Sequence, residues 1–174
     1  RLAFPDIEIR SYTEAVSVAI ENMHIDTGDR NIIITHQFVT GAERSDSEEV
    51  SVGGSDNVDA SVFDAFDYVA LGHIHGPQNI GSDRIRYCGT PLKYSFSEVN
   101  HVKSVTVVEF KAKGELDVRC VPLMPLHDML EVRGKYEDII KKSFYEGTPY
   151  EHAYLHVTLT DEDSITNAYS NLRR

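Results

Sequence analysis

Three histidines at the ends of two apolar runs are the residues of this chain whose types and spacing could do chemistry. His73 and His75 stand in Val69-Ala70-Leu71-Gly72-His73-Ile74-His75-Gly76-Pro77, and His36 in Asn31-Ile32-Ile33-Ile34-Thr35-His36-Gln37. Neutral imidazole is a common metal ligand, and the short apolar run before each histidine has the pattern of a buried strand. If the backbone stays extended through His75, residues i and i+2 share a face with Cα atoms about 6.6 to 7 Å apart. That separation suits one metal poorly. It suits two ions about 3.5 to 4 Å apart, the arrangement of phosphoester-cleaving two-metal sites, with one histidine on each. Gly72 lacks a Cβ, so the chain can bend there and a ligand can come close to the backbone. A Gly-His-x-His alone is equally the pattern of two ordinary strand-end histidines; His36 tips the reading toward metal.

The elements that must position these histidines follow from the rest of the chain. Function in α/β sheets gathers beyond the carboxyl ends of strands, so His36, His73 and His75 are expected to meet at one rim. Thr35 and Gln37 fall on the opposite strand face from His36 and are poor ligands; Gln37, like Lys93, Tyr94 and Ser95, can still lie near the site or support the fold. Upstream, Ser11 or Thr13 can cap a helix through about Met23, with Ala15, Val18, Ala19 and Met23 on its apolar face. Gly28-Asp29 reads as a turn ahead of the first strand. The polar stretch 40–49 reads as a solvated face. Val50-Ser51-Val52 is a short strand or loop edge closed by Gly53-Gly54. Asp56, Asn57 or Asp59 can then cap a short helix holding Val62, Phe63 and Phe66, which precedes the strand at Tyr68 to Leu71. Strand, helix and strand together make one α/β unit.

Arg84-Ile85-Arg86-Tyr87 alternates as a half-buried strand that Gly89-Thr90-Pro91 ends. Two runs on either side of Lys113-Gly114-Glu115 predict a β-hairpin. Beyond Pro122 and Pro125 the pattern changes: a strand over 128–132, a helix over 136–144, a strand over 153–160 and a helix over 164–172. A boundary near Leu126 divides the chain into 1–126 and 127–174. His152 and His156 have helical metal-ligand spacing but sit in strand-like sequence, where i and i+4 lie about 13 Å apart, so no joint site is expected. His24, His101 and His127 lack neighbouring ligands.

Composition bounds the rest. The 174 residues are 41% hydrophobic, enough for a packed core, with 17 Lys and Arg against 28 Asp and Glu for a net charge of −11. Phosphate contacts need clustered cations, so a broad DNA-binding face on this chain alone is disfavoured. Cys88 and Cys120 lie in or beside strand runs and are expected as reduced, buried thiols. No leader or long apolar span occurs in the sequence, which reads as cytoplasmic. The chain opens on Arg1 rather than methionine, as a piece of a longer protein would.

Thr35-His36-Gln37, Gly72-His73-Ile74-His75 and the run from Arg86 to Ser95 resemble the second half of the calcineurin-like metallophosphoesterases. Gly41 to Glu49 and Tyr94 to His101 narrow the resemblance to the SbcD nucleases within that family. The resemblance implies part of a metallophosphoesterase β-sandwich flanked by helices, followed by the start of a small α+β DNA-capping domain after residue 126. It implies that His36 and His73 serve one metal and His75 a second, with manganese the usual ion; ligand chemistry alone leaves iron, zinc and cobalt open. It also implies a DNA exonuclease and endonuclease of repair, recombination and replication. ATP would be handled by an SbcC-like partner, since no Gly-x-x-x-x-Gly-Lys-Ser/Thr loop occurs here, and a homodimer of the intact subunit is compatible with the pattern. The family's Asp-x-His, metal-bridging Gly-Asp and Asn-His-Asp are absent, so the expected site is split, with only its histidine half here and weak metal binding. The rival readings are another phosphoesterase, such as a nucleotidase or phosphatase, and a metal-free scaffold.

Overall fold

Ser11 begins the first helix, α1 (Tyr12–Glu21), by accepting the Glu14 N–H on its side chain, which satisfies one of the donors a helix leaves open in its first turn. This computed structural model describes residues 3–48 and 57–173; the features expected at Val50-Ser51-Val52, Gly53-Gly54 and Asp56 lie outside the described residues. The face of α1 that meets the core carries Val16 and Ile20, four residues apart. The expected face is therefore displaced, because the helix ends before Met23, which is half exposed.

Two compact units make up the chain, one of Arg1–Pro91 with His101–Leu123, the other of Leu92–Asn100 with Met124–Arg174. The first is built on a four-stranded sheet of order β1-β4-β6-β5, from β1 (Ile32–His36), β4 (Tyr68–Gly72), β6 (Ser82–Tyr87) and β5 (Gln78–Ile80). β1, β4 and β6 run parallel, and β5 pairs antiparallel with β6. β4, with neighbours on both sides, buries Tyr68, Val69 and Leu71, as a strand covered on both faces should. β1 is the edge strand and alternates instead: Ile32, Ile34 and His36 are exposed, while Ile33 and Thr35 are half buried. The core gathers Val39, Val58, Phe63, Val69, Leu71 and Tyr87 beneath α1 and the sheet.

Connections are shorter than the sequence suggests. β2 (Phe38–Val39) pairs in parallel with β3 (Asn57–Val58). Asp59 then caps a single 3₁₀ turn, Ala60–Phe63, by accepting the Ser61 N–H, and Phe66 lies past its end in the turn before β4. The predicted hairpin is present as β7 (Ser104–Phe110) and β8 (Leu116–Pro122), antiparallel throughout, with Gly114 at a φ of 77° in the loop. Both cysteines are exposed rather than buried. Alternation explains Cys88: Tyr87 before it is fully buried, so the next side chain points out. Cys120 lies on β8, which pairs only with β7, and its Sγ is 3.1 Å from an Arg86 guanidinium nitrogen.

The second unit pairs β9 (Met129–Gly134) with β10 (Tyr154–Leu159) in parallel and buries Val132 and Ile139. The helix expected over 136–144 is two short ones, α2 (Tyr136–Ile139) and α3 (Lys142–Tyr145), because Lys141 between them is extended at ψ 136°. The last helix is only α4 (Ala168–Leu172), preceded by Asn167 at a φ of 59°; that left-handed residue cannot continue a helix. His156 lies on β10, but His152 belongs to the 3₁₀ turn Pro149–His152, so the strand predicted from 153 does not carry both.

Candidate functional site

Parallel pairing of β1 with β4 brings His36 opposite Gly72 and sets both carboxyl ends at one edge of the sheet. The absent side chain of Gly72 is needed there, since a Cβ would lie 2.8 Å from His36 Nδ1. The strand ends at Gly72, and His73 adopts a φ of 104°, rare for a residue with a Cβ. The extended geometry expected through His75, with both imidazoles on one strand face, is therefore not what forms: His73 turns the chain, and Ile74 anchors the turn in the core at 2% exposure.

The structure brings His36 and His73 together directly, their ring centroids 5.3 Å apart and their planes at 77°. Phe38 stands edge-on to His73 at 6.4 Å, and the Arg44 guanidinium lies 3.9 Å over the Phe38 ring, a cation–π stack. His75 is held separately. Its N–H donates to Glu48 Oε1 at 2.6 Å, its Nδ1 is 3.1 Å from Ser47 Oγ, and its carbonyl accepts from the Thr90 N–H at 3.1 Å and from Lys103 Nζ at 2.9 Å. The carbonyl contact requires Gly89, which has a φ of 77° and whose Cβ would lie 2.6 Å from that oxygen. Lys103 is buried and also donates to Thr90 Oγ1.

Beneath His36 the fully buried Tyr87 hydroxyl accepts the Val39 N–H at 2.8 Å and donates to the Gln37 carbonyl at 2.7 Å. Gln37 thus supports the fold through its backbone. Burial pushes the Tyr87 phenol above its ordinary pKa.

Sequence reasoning missed the loop. Residues 40–48 read as a solvated face, yet Glu48 is only 8% exposed and Ser47 contacts a candidate ligand. The signal was Ser45-Asp46-Ser47-Glu48, a Ser-x-x-Glu that folds back on itself: the Glu48 N–H bonds the Ser45 carbonyl and Ser45 Oγ donates to Glu48 Oε1. Lys103 carried no such signal.

The remaining histidines lie apart. His24 is exposed, His101 Nδ1 is 3.5 Å from Lys103 Nζ, His127 Nδ1 contacts the His152 carbonyl, and His156 Nδ1 is 3.4 Å from Glu131. Lys93, in the second unit, pairs with Asp128, and Ser95 caps the 3₁₀ turn Phe96–Glu98. A groove of about 670 Å³, lined by Asp64, Asp67, Lys111 and Lys113 among others, holds none of the three candidate histidines.

Among the described residues no three His, Cys, Asp or Glu side chains come close enough to hold a metal ion. The donor chemistry of the His36 and His73 pair suits first-row divalent metals, but two neutral imidazoles leave an ion's charge uncompensated. The residues present fit as part of a ligand set and do not complete one. No helix among the described residues is long and apolar enough to cross a membrane.

A mixed α/β arrangement with histidines just past the carboxyl ends of parallel strands is compatible with part of a metallophosphoesterase fold. No protein-family profile matches the chain. It is similar to SbcD, the smaller component of the nuclease SbcCD, from Staphylococcus epidermidis, 37% identical over 174 residues that cover 98% of this chain and 46% of that protein. The chain thus spans about half the length of the curated relative it matches. The resemblance to SbcD nucleases read from the motifs is borne out across nearly the whole chain.

Proposed function

We propose that this chain carries the histidine half of the active site of a DNA nuclease subunit, one that hydrolyses phosphodiesters with two divalent metals, most often manganese. The observation that carries the reading is the β1 to β4 register, which sets the His36 and His73 rings 5.3 Å apart at one sheet edge. His36 and His73 would hold one ion and His75 the other. The anionic ligands would come from the Asp-x-His, Gly-Asp and Asn-His-Asp segments of the family, which are not in this sequence.

When bound, such metals supply an activated water and neutralise charge developing on the phosphate. The chain's own residues orient the imidazoles: Gly72 leaves room for His36, and the contacts to His75 from Ser47, Glu48, Thr90 and Lys103 fix its position. A net charge of −11 assigns the phosphate-tracking surface to another part of the protein or to a partner. That partner is an SbcC-like ATPase, with which the whole subunit would act as an ATP-dependent double-strand exonuclease and single-strand endonuclease in cytoplasmic DNA repair and recombination. Residues from 127 onward would open its DNA-capping domain.

The test measures manganese-dependent cleavage of duplex DNA, with nucleoside monophosphates as the competing substrate class, by the whole subunit and by its His36→Ala and His73→Ala variants. Loss of DNA cleavage in both variants is expected; unchanged cleavage by either would refute its role. This segment alone should cleave DNA negligibly, and robust cleavage by it would refute the split site.

A further inference from the structure

One loop reaches His75 at two different atoms, and simple anchoring does not require both. Glu48 Oε1 takes the His75 backbone N–H, while the neighbouring Ser47 places its hydroxyl 3.1 Å from the ring Nδ1. Ser45 ties the two together, with its Oγ 2.9 Å from Ser47 Oγ and 3.1 Å from Glu48 Oε1. The arrangement is costly: Glu48 is 8% exposed and its Oε2 is buried without a hydrogen-bond partner, a state proteins rarely tolerate. The backbone bond alone would tether the loop. The ring contact does something more, because an imidazole whose Nδ1 donates to an oxygen presents Nε2 as its lone pair.

We propose that Ser47 and Glu48 are positioning residues for His75. Glu48 fixes where the residue sits, and Ser47 accepts from Nδ1–H to select the tautomer in which Nε2 binds a divalent metal. This rests on the reading of His75 as a ligand. Partners of metal-bound histidines fix ring orientation in this way, and their loss commonly weakens metal binding 10- to 100-fold. The loop does not ligate the metal itself.

The experiment uses the whole subunit and two readouts that do not depend on catalysis: Mn²⁺ affinity by calorimetry, and the ¹⁵N chemical shifts of His75 in the metal-free protein. Ser47→Ala should weaken one Mn²⁺ site roughly 10- to 100-fold and move His75 toward mixed tautomers, with little change in melting temperature. Ser47→Thr, which keeps the hydroxyl, should restore both. Glu48→Gln, which keeps an oxygen acceptor for the backbone N–H, should hold affinity far better than Glu48→Ala. Unchanged tautomer and affinity in Ser47→Ala, while His75→Ala abolishes that site, would overturn the positioning role and leave the ligand reading standing. Unchanged Mn²⁺ binding in His75→Ala would overturn the ligand reading itself and this inference with it.

Discussion

Replacing Tyr87 by Phe removes one oxygen from the most enclosed aromatic of the chain and leaves its ring in place. Tyr87 is fully buried, and its hydroxyl joins the Val39 N–H to the Gln37 carbonyl. Val39 is itself fully buried, so after the substitution its N–H has no water to turn to. A buried polar group left unsatisfied costs about 1 to 3 kcal/mol. With a second, partly accessible acceptor also released, a loss of about 2 to 3 kcal/mol is expected. For a chain of this size that corresponds to a melting point lower by roughly 4 to 10 °C. Urea unfolding followed by far-ultraviolet circular dichroism measures it, with Tyr169→Phe as the control; that ring is 76% exposed and should stay within about 0.5 kcal/mol of the parent. A Tyr87→Phe midpoint indistinguishable from the parent at unchanged slope would refute the bridging role. The same variant should loosen the turn after His36, visible as altered His36 ring resonances.

Gly72→Ala should leave stability within about 1 kcal/mol, because the exposed His36 ring can swing away. A Cβ 2.8 Å from Nδ1 is nevertheless roughly 0.6 Å inside ordinary contact, and misplacement on the ångström scale can cost about 10²-fold in rate; cleavage by the whole subunit carrying the variant checks this. Gly89→Ala should destabilise by about 1 to 3 kcal/mol, since its φ of 77° and the His75 carbonyl 2.6 Å from a Cβ leave no relaxed alternative; chemical denaturation reads it. Asp67 accepts from Lys113 Nζ at 2.6 Å and from the Asn31 N–H at 2.7 Å, and these bonds, the lysine's foremost, hold its pKa below the ordinary value against the effect of burial. Because the folded pKa is the lower one, the stabilisation is present above the unfolded value near 4 and drains away as pH falls through the folded value. An acid-unfolding series should therefore run less steeply for Asp67→Asn than for the parent.

Much of this molecule was legible where a residue's own chemistry decides its place. Ser11 announces its helix, Gly114 its hairpin, and the β-branched runs before His36 and His73 their strands. What escaped was decided by contacts distant in sequence. Nothing local in Gly72-His73-Ile74 tells that the strand stops there: the 2% exposure of Ile74 and the positive φ of His73 come from packing. Charge was read as solvation in residues 40–48, but a carboxylate can be buried when a backbone N–H 27 positions away needs an acceptor. The exposure of Cys88 and Cys120 likewise depends on which strand faces are covered, which residue type alone does not specify.

The parallel register of β1 on β4 ties the chemistry to the alignment of two strands. Sliding one strand past the other by a single residue would exchange its two faces. His36 would then trade places with Thr35 and leave the neighbourhood of His73. Whatever selects the native alignment therefore also selects the imidazole pair. Ile33, packed against the core from the half-buried face of β1, is in that sense a gauge for the site: it touches no candidate ligand, yet the alignment that buries it also turns His36 to the proposed metal.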